Sequence, residues 1–143
     1  LQIHLNAAQE LVMPEGDRDF TGWSEAIAAI AATVPVPVVV KEVGFGLSRR
    51  TIEALAHTGV AAVDVAGAGG TDFIAIENER RPRRDLSYLI GWGQPTALCL
   101  LESLAVDEPI GLPVLASGGV RSPLEQARLL GVDLTRLAHR SEA

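Results

Sequence analysis

The segment HLNAAQE, residues 4–10, places His4, Asn6, Gln9 and Glu10 at the end of what begins as an apolar strand, LQIHL, where packing alone asks for leucines and valines. A glutamine both donates and accepts hydrogen bonds without carrying charge. A neighbouring carboxylate is a hard oxygen ligand suited to Mg²⁺, which usually takes one or two protein carboxylates together with substrate phosphate oxygens. The strand period of two puts Gln2, His4 and Asn6 on one side and Leu1, Ile3 and Leu5 on the other, with Gln9 and Glu10 at the rim. The alternative is that His4 and Asn6 are satisfied interior polar groups and Glu10 a solvated loop charge. Lys41 ends a valine run, and an ammonium there is costly unless it meets an anion or electron-rich ligand. Glu42, the obvious partner, is adjacent in a strand and so projects to the opposite face. Two glycine-rich segments, GAGGT at 67–71 and SGG at 117–119, can expose backbone N–H groups to an anion, or can be tight turns. They do not form the dinucleotide fingerprint G-x-G-x-x-G, because the sixth position is Asp72 counting from Gly67 and Arg49 counting from Gly44.

These residues need a scaffold, and the chain supplies β-branched runs alternating with alanine- or leucine-rich segments, the pattern of βα units around a parallel sheet. LQIHLN is the first strand. Thr21 is expected to cap a helix whose apolar face holds Trp23, Ile27 and Ile30 and which stops before Pro35. Valines at 36, 38, 39 and 40 show no polar alternation, so the second strand should be covered on both faces. Ser48 reads as an N-cap with Leu47 and Ile52 as a hydrophobic staple, and Gly59 as the left-handed stop. AAVDVAGAGG is the third strand and its loop, with ENERRPRRD as a polar connection. Pro95 opens a helix with Leu98, Leu101 and Ala105 along one side, and LPVLASGG is the fourth strand. Ser122 and Glu125 form a capping box with Pro123 between them, Gly131 ends that helix, and residues 132–143 begin like a fifth strand. In such architectures the C-terminal ends of the strands carry the functional loops, which explains a polar cluster after the first of them.

The 143 residues suit one modest domain, and 48% hydrophobic with 21% charged residues is the composition of a globular core. No apolar run reaches the roughly 18 residues that span a bilayer and no signal-peptide order is present, so the expectation is a cytoplasmic protein with no membrane role. A single cysteine, Cys99, makes no internal disulfide and reads as a buried helix residue. Net charge of −6 opposes nucleic-acid binding, and the run Arg80, Arg81, Arg83 and Arg84 is interleaved with acids and lacks aromatics. His57, near a helix end, suits the helix dipole. No Ser-His-Asp order, CxxC pair or HExxH helix supports a triad hydrolase or a zinc enzyme.

Taken together, LQIHLNAAQELVMPEGDRDF, VVVKEVGFGLS, VDVAGAGGTDFIAIENERR, WGQPTALCLLE and LASGGVRSPLE resemble, in collinear order, the type 2 isopentenyl-diphosphate delta-isomerases. The resemblance implies a partial (β/α)₈ TIM barrel, about four βα units of its second half, with residues 1–143 as the C-terminal part of a single FMN-binding domain, a fragment of the whole. It implies conversion of isopentenyl diphosphate to dimethylallyl diphosphate using reduced FMN, with NADPH and Mg²⁺, and a homo-oligomer when full length. Motif by motif, Gln9 would contact substrate as the catalytic glutamine and Glu10 would bind Mg²⁺. His4 and Asn6 would line the same pocket. Lys41 would lie against the flavin, Thr71 on the cofactor's phosphate side, and Gly118, Gly119 and Val120 would offer N–H groups to its phosphate. The other readings are an FMN-dependent hydroxy-acid oxidase or dehydrogenase, which needs a histidine after a strand end, and a non-catalytic truncated half-barrel.

Overall fold

A computed structural model of the chain describes residues 1–104 and 110–122. Within them, β1 (Gln2–His4), β2 (Val39–Lys41), β3 (Ala62–Asp64) and β4 (Val114–Leu115) form one parallel sheet in the order β1-β2-β3-β4. The registers align Ile3, Val40, Val63 and Val114 in one row and His4, Lys41, Asp64 and Leu115 in the next. Alternation then sends the two rows to opposite faces. The first row meets Ile27 of α2 (Trp23–Thr33), Ile52 and Leu55 of α3 (Arg49–Ala56), and Cys99 and Leu100 of α5 (Thr96–Leu104) in the main core. The second row carries charge and solvent.

The expectation of a partial (β/α)₈ barrel is corrected: the described residues make a small α/β domain built on one four-stranded parallel sheet, with β1 and β4 at its edges. The error has a physical source. The βα rhythm reports local units, whereas closure is a global property of strand number, tilt and stagger that no local repeat encodes. Coverage on both faces was also overestimated for β2, where Val38 and Val40 are buried but Val39 and Lys41 are half-buried.

Two short helices stand where loops were expected. Helix α1 (Ala7–Val12) starts at Asn6, whose Oδ1 accepts from the Gln9 N–H at 3.1 Å, and α4 (Phe73–Arg80) starts at Asp72, which accepts from the Ala75 N–H at 3.1 Å. Both are too short for helical periodicity to stand out, and α4 is hidden inside a charged string. Helix α2 is capped by Gly22 at φ +75°, not by Thr21, whose hydroxyl donates to Asp19 Oδ1 at 2.6 Å. Ser48 does cap α3, accepting from the Thr51 N–H at 3.2 Å, and Leu47 and Ile52 are both buried in the main core.

On α5 the leucine stripe is reversed. Leu98 and Leu101 are 42% and 59% exposed, while Thr96, Cys99, Leu100 and Ser103 face inward at the helical spacing i, i+3, i+4, i+7. Close approach to the loops beneath selects small side chains there, and the two buried hydroxyls are satisfied by backbone carbonyls. The Cys99 thiol is fully buried; a Cβ built on Gly46 would lie 2.5 Å from its sulfur, and burial pushes its pKa up. Ala105, Pro123, Glu125, Gly131 and residues 132–143, for which a helix side, a capping box, a stop and a strand were expected, lie outside the described residues. No helix among the described residues is long and apolar enough to cross a membrane.

Candidate functional site

A second, smaller core built from Val12, Phe45 and Ile74 fastens α1 to α4, with Phe73, Leu86 and Leu89 packed around it. That packing decides what Gln9 meets. Its Nε2 donates to Glu77 Oε1 at 3.3 Å, while its Oε1 accepts from Asn6 Nδ2, so the amide is oriented from both ends. Glu77 is 7% exposed, and its other oxygen pairs with Arg80, which also pairs with Glu15. Sequence reasoning missed Glu77 by treating it as part of a polar connection. Read as a helix, FIAIENER puts Glu77 one turn after Ile74 on the buried side, and a carboxylate on a buried side needs partners.

Glu10 follows Gln9 but does different work. Its carboxylate accepts from the Asp17 N–H at 2.9 Å and its carbonyl from Arg18 at 2.6 Å, so it also organises the turn after α1. Among the described residues no group of three or more His, Cys, Asp or Glu side chains converges as a metal site. The structure therefore offers Glu10 as a single carboxylate.

Lys41, Thr71 and Gly118, from three separate strand ends, line one cleft of about 270 Å³, together with Val43, Phe73 and Ser117. The ammonium of Lys41 donates to the Glu42 carbonyl at 2.8 Å and forms no ion pair with the Glu42 carboxylate. That carboxylate faces the other way and accepts from the N–H groups of Val43 at 2.6 Å, Phe45 at 2.6 Å and Gly46 at 3.2 Å, binding the loop after β2 into shape. Burial pushes its pKa up and the N–H bonds oppose that rise. His4 pairs in register with Lys41 but is exposed and belongs to the strand itself, not to the loop after it.

The glycine loops also pack on each other. Gly118 (φ +90°) and Gly119 (φ +74°) occupy left-handed backbone conformations, and a Cβ on Gly118 would overlap the Gly67 carbonyl, while one on Gly119 would come within 2.8 Å of Gly69. The glycines are thus required for loop-on-loop contact as well as for exposing N–H groups. Among the described residues none accepts from the N–H of Gly118, Gly119 or Val120. Three arginines of the run are engaged by acids, Arg80 as above, Arg81 with Asp85 at 2.7 Å and Arg84 with Glu79 at 2.7 Å. A larger apolar cleft of about 550 Å³, lined by Leu11, Trp23, Phe45 and Trp92 among others, includes only Asn6 of the residues singled out for chemistry.

The arrangement has two parts: a cleft lined by Lys41, Thr71 and Gly118 at the ends of β2, β3 and β4, and a hydrogen-bonded Asn6–Gln9–Glu77 chain where α1 meets α4. No protein-family model matches the chain. It is 58% identical over 142 residues to the isopentenyl-diphosphate delta-isomerase of Nocardia farcinica (strain IFM 10152), an alignment covering 98% of this chain and 38% of that protein. The protein of the same name from Streptomyces sp. (strain CL190) is 59% identical over 132 residues, 92% of this chain and 35% of its own length. That from Staphylococcus haemolyticus (strain JCSC1435) is 54% identical over 132 residues, 92% of this chain and 37% of its own. The chain is therefore similar, along almost its whole length, to proteins named isopentenyl-diphosphate delta-isomerase, and spans 35–38% of the length of these relatives.

Proposed function

We propose that this chain serves the isomerisation of isopentenyl diphosphate to dimethylallyl diphosphate, holding a flavin nucleotide in the cleft of Lys41, Thr71 and Gly118. The names of its relatives supply the reaction, and the single observation that supports the flavin is the convergence of those three residues on one cleft. When bound, reduced FMN, maintained by NADPH, would supply the acid and base for the double-bond shift, and Mg²⁺ would neutralise the diphosphate.

The donor chemistry fits such a ligand. An ammonium at the end of a valine strand favours the negative charge of a reduced flavin edge, and N–H groups at Gly118, Gly119 and Val120 that none of the described residues engages favour a phosphate. A volume of about 270 Å³ lies below the ordinary range for a whole ligand, so the cleft would grip one end of the nucleotide. Glu10 would hold the metal with its carboxylate, the remaining positions falling to substrate oxygens and water. Gln9, held by Asn6 and Glu77, would orient the substrate alkene; its amide is too weak a base to carry the proton itself. His4 and Asn6 would border the substrate less directly.

The test is binding of FMN by absorbance and flavin fluorescence, and conversion of isopentenyl diphosphate in the presence of FMN, NADPH and Mg²⁺. Gln9→Asn is expected to abolish turnover and leave flavin affinity unchanged. Retained turnover would remove Gln9 from the chemistry, and absence of flavin binding by the unmodified chain would overturn the cofactor assignment.

A further inference from the structure

We infer that Thr96 and Asp64 are positioning residues that hold the Ser117–Val120 loop with its N–H groups turned outward as a receptor for a phosphoryl group, an inference resting on the phosphate part of the reading above. The Thr96 hydroxyl lies 2.7 Å from the Ser117 carbonyl and 2.6 Å from the Gly118 carbonyl, sharing its proton between two successive acceptors. Thr96 is 3% exposed, so α5 draws both carbonyls inward from a fixed point. No peptide bond here is cis. In a trans peptide the N–H of one residue points opposite to the C=O of the residue before it. Drawing in the carbonyls of Ser117 and Gly118 therefore turns the N–H groups of Gly118 and Gly119 away from α5, side by side, which is the geometry of a backbone anion nest.

Asp64 fixes where that nest begins. Its Oδ1 accepts from the Ser117 N–H at 3.1 Å and from the Ala66 N–H at 3.1 Å, and the Ser117 hydroxyl lies 2.9 and 2.8 Å from its two oxygens. The Ser117 N–H is thereby withdrawn from any ligand, and the receptor starts at Gly118. The carboxylate would repel an anion if bare, but these donors absorb its charge, and Lys41 stands beside it in the same register row. Neither residue was singled out by its sequence context: one is an acid inside a strand, the other a threonine after a proline.

The experiment follows the backbone amides of Gly118, Gly119 and Val120 by ¹⁵N NMR while inorganic phosphate, FMN or isopentenyl diphosphate is added to the unmodified chain, Thr96→Val, Thr96→Ser and Asp64→Asn. Phosphate is expected to shift the Gly118 and Gly119 amides, Thr96→Val to weaken that response roughly tenfold or more, and Thr96→Ser to restore it, because only the hydroxyl matters. If Thr96→Val does not fold, Asp64→Asn at its half-buried position carries the same expectation. Unmoved amides in the unmodified chain, or phosphate affinity unchanged in Thr96→Val or, where that variant does not fold, in Asp64→Asn, would overturn the inference. Phosphate binding at these amides without FMN binding would sustain the loop assignment and sink the flavin reading. FMN binding that leaves them unmoved would do the reverse.

Discussion

On its helix side the sheet presents Ile3, Val40, Val63 and Val114 to three helices, whereas its other face carries Gln2, His4, Lys41 and Asp64. The two sides are held by different forces. Behind the sheet, stability comes from apolar area, which depends on volume more than on the identity of any one group. In front, and at the strand ends, shape comes from individual hydrogen bonds and from glycines that let two loops touch. A substitution behind should therefore cost stability without changing the cleft, and one in front should alter the cleft at smaller cost in stability.

The largest effect is expected for Ile52→Ala, which empties a fully buried site and should cost about 2–5 kcal/mol in urea denaturation. If the variant stays folded, its FMN affinity should be that of the unmodified chain; a selective loss of binding would break the separation between the two sides. Gly118→Ala comes next. A left-handed backbone costs about 1–2 kcal/mol for a residue with a Cβ, and that Cβ would also press on the Gly67 carbonyl, so the two loops must part. Here binding should be lost even under conditions where circular dichroism shows a folded chain.

The smallest effect concerns Glu42, which joins the two regions by tying the β2 loop to its own carboxylate. Burial raises its folded pKa, so the folded state holds the proton more tightly than the unfolded chain does. Its contribution is fully present below the ordinary glutamate pKa and is lost as pH rises through the folded value. Glu42→Gln cannot titrate. The stability of the unmodified chain relative to this variant should therefore decline as pH rises above the ordinary glutamate pKa in paired urea titrations. A constant difference would mean that the three N–H bonds fully offset burial.

The parts of this architecture that sequence revealed are those written in local chemistry. Four β-branched runs became the four strands, and Ser48 with Leu47 and Ile52 set the start of α3. The meeting of Lys41, Thr71 and Gly118 was legible because parallel strands deliver their C-terminal loops to one end of a sheet. Whether the four strands belong to a barrel was not legible, since each βα unit reads the same in a barrel or in a small α/β sheet. Nor was the Gln9–Glu77 contact, which joins side chains 68 positions apart through helices too short to announce themselves. The inward face of α5 was misread because hydrophobicity favoured its leucines, while the space available favoured Thr96, Cys99 and Ser103.

That inward face has a practical consequence. The chain's single thiol lies under Gly46 with no exposed surface, so maleimides and oxidants in solution find nothing to modify while α5 stays seated. A fluorophore or spin probe can therefore be attached through a cysteine introduced at an outward position such as Leu101, with the native sulfur left in place as a silent bystander.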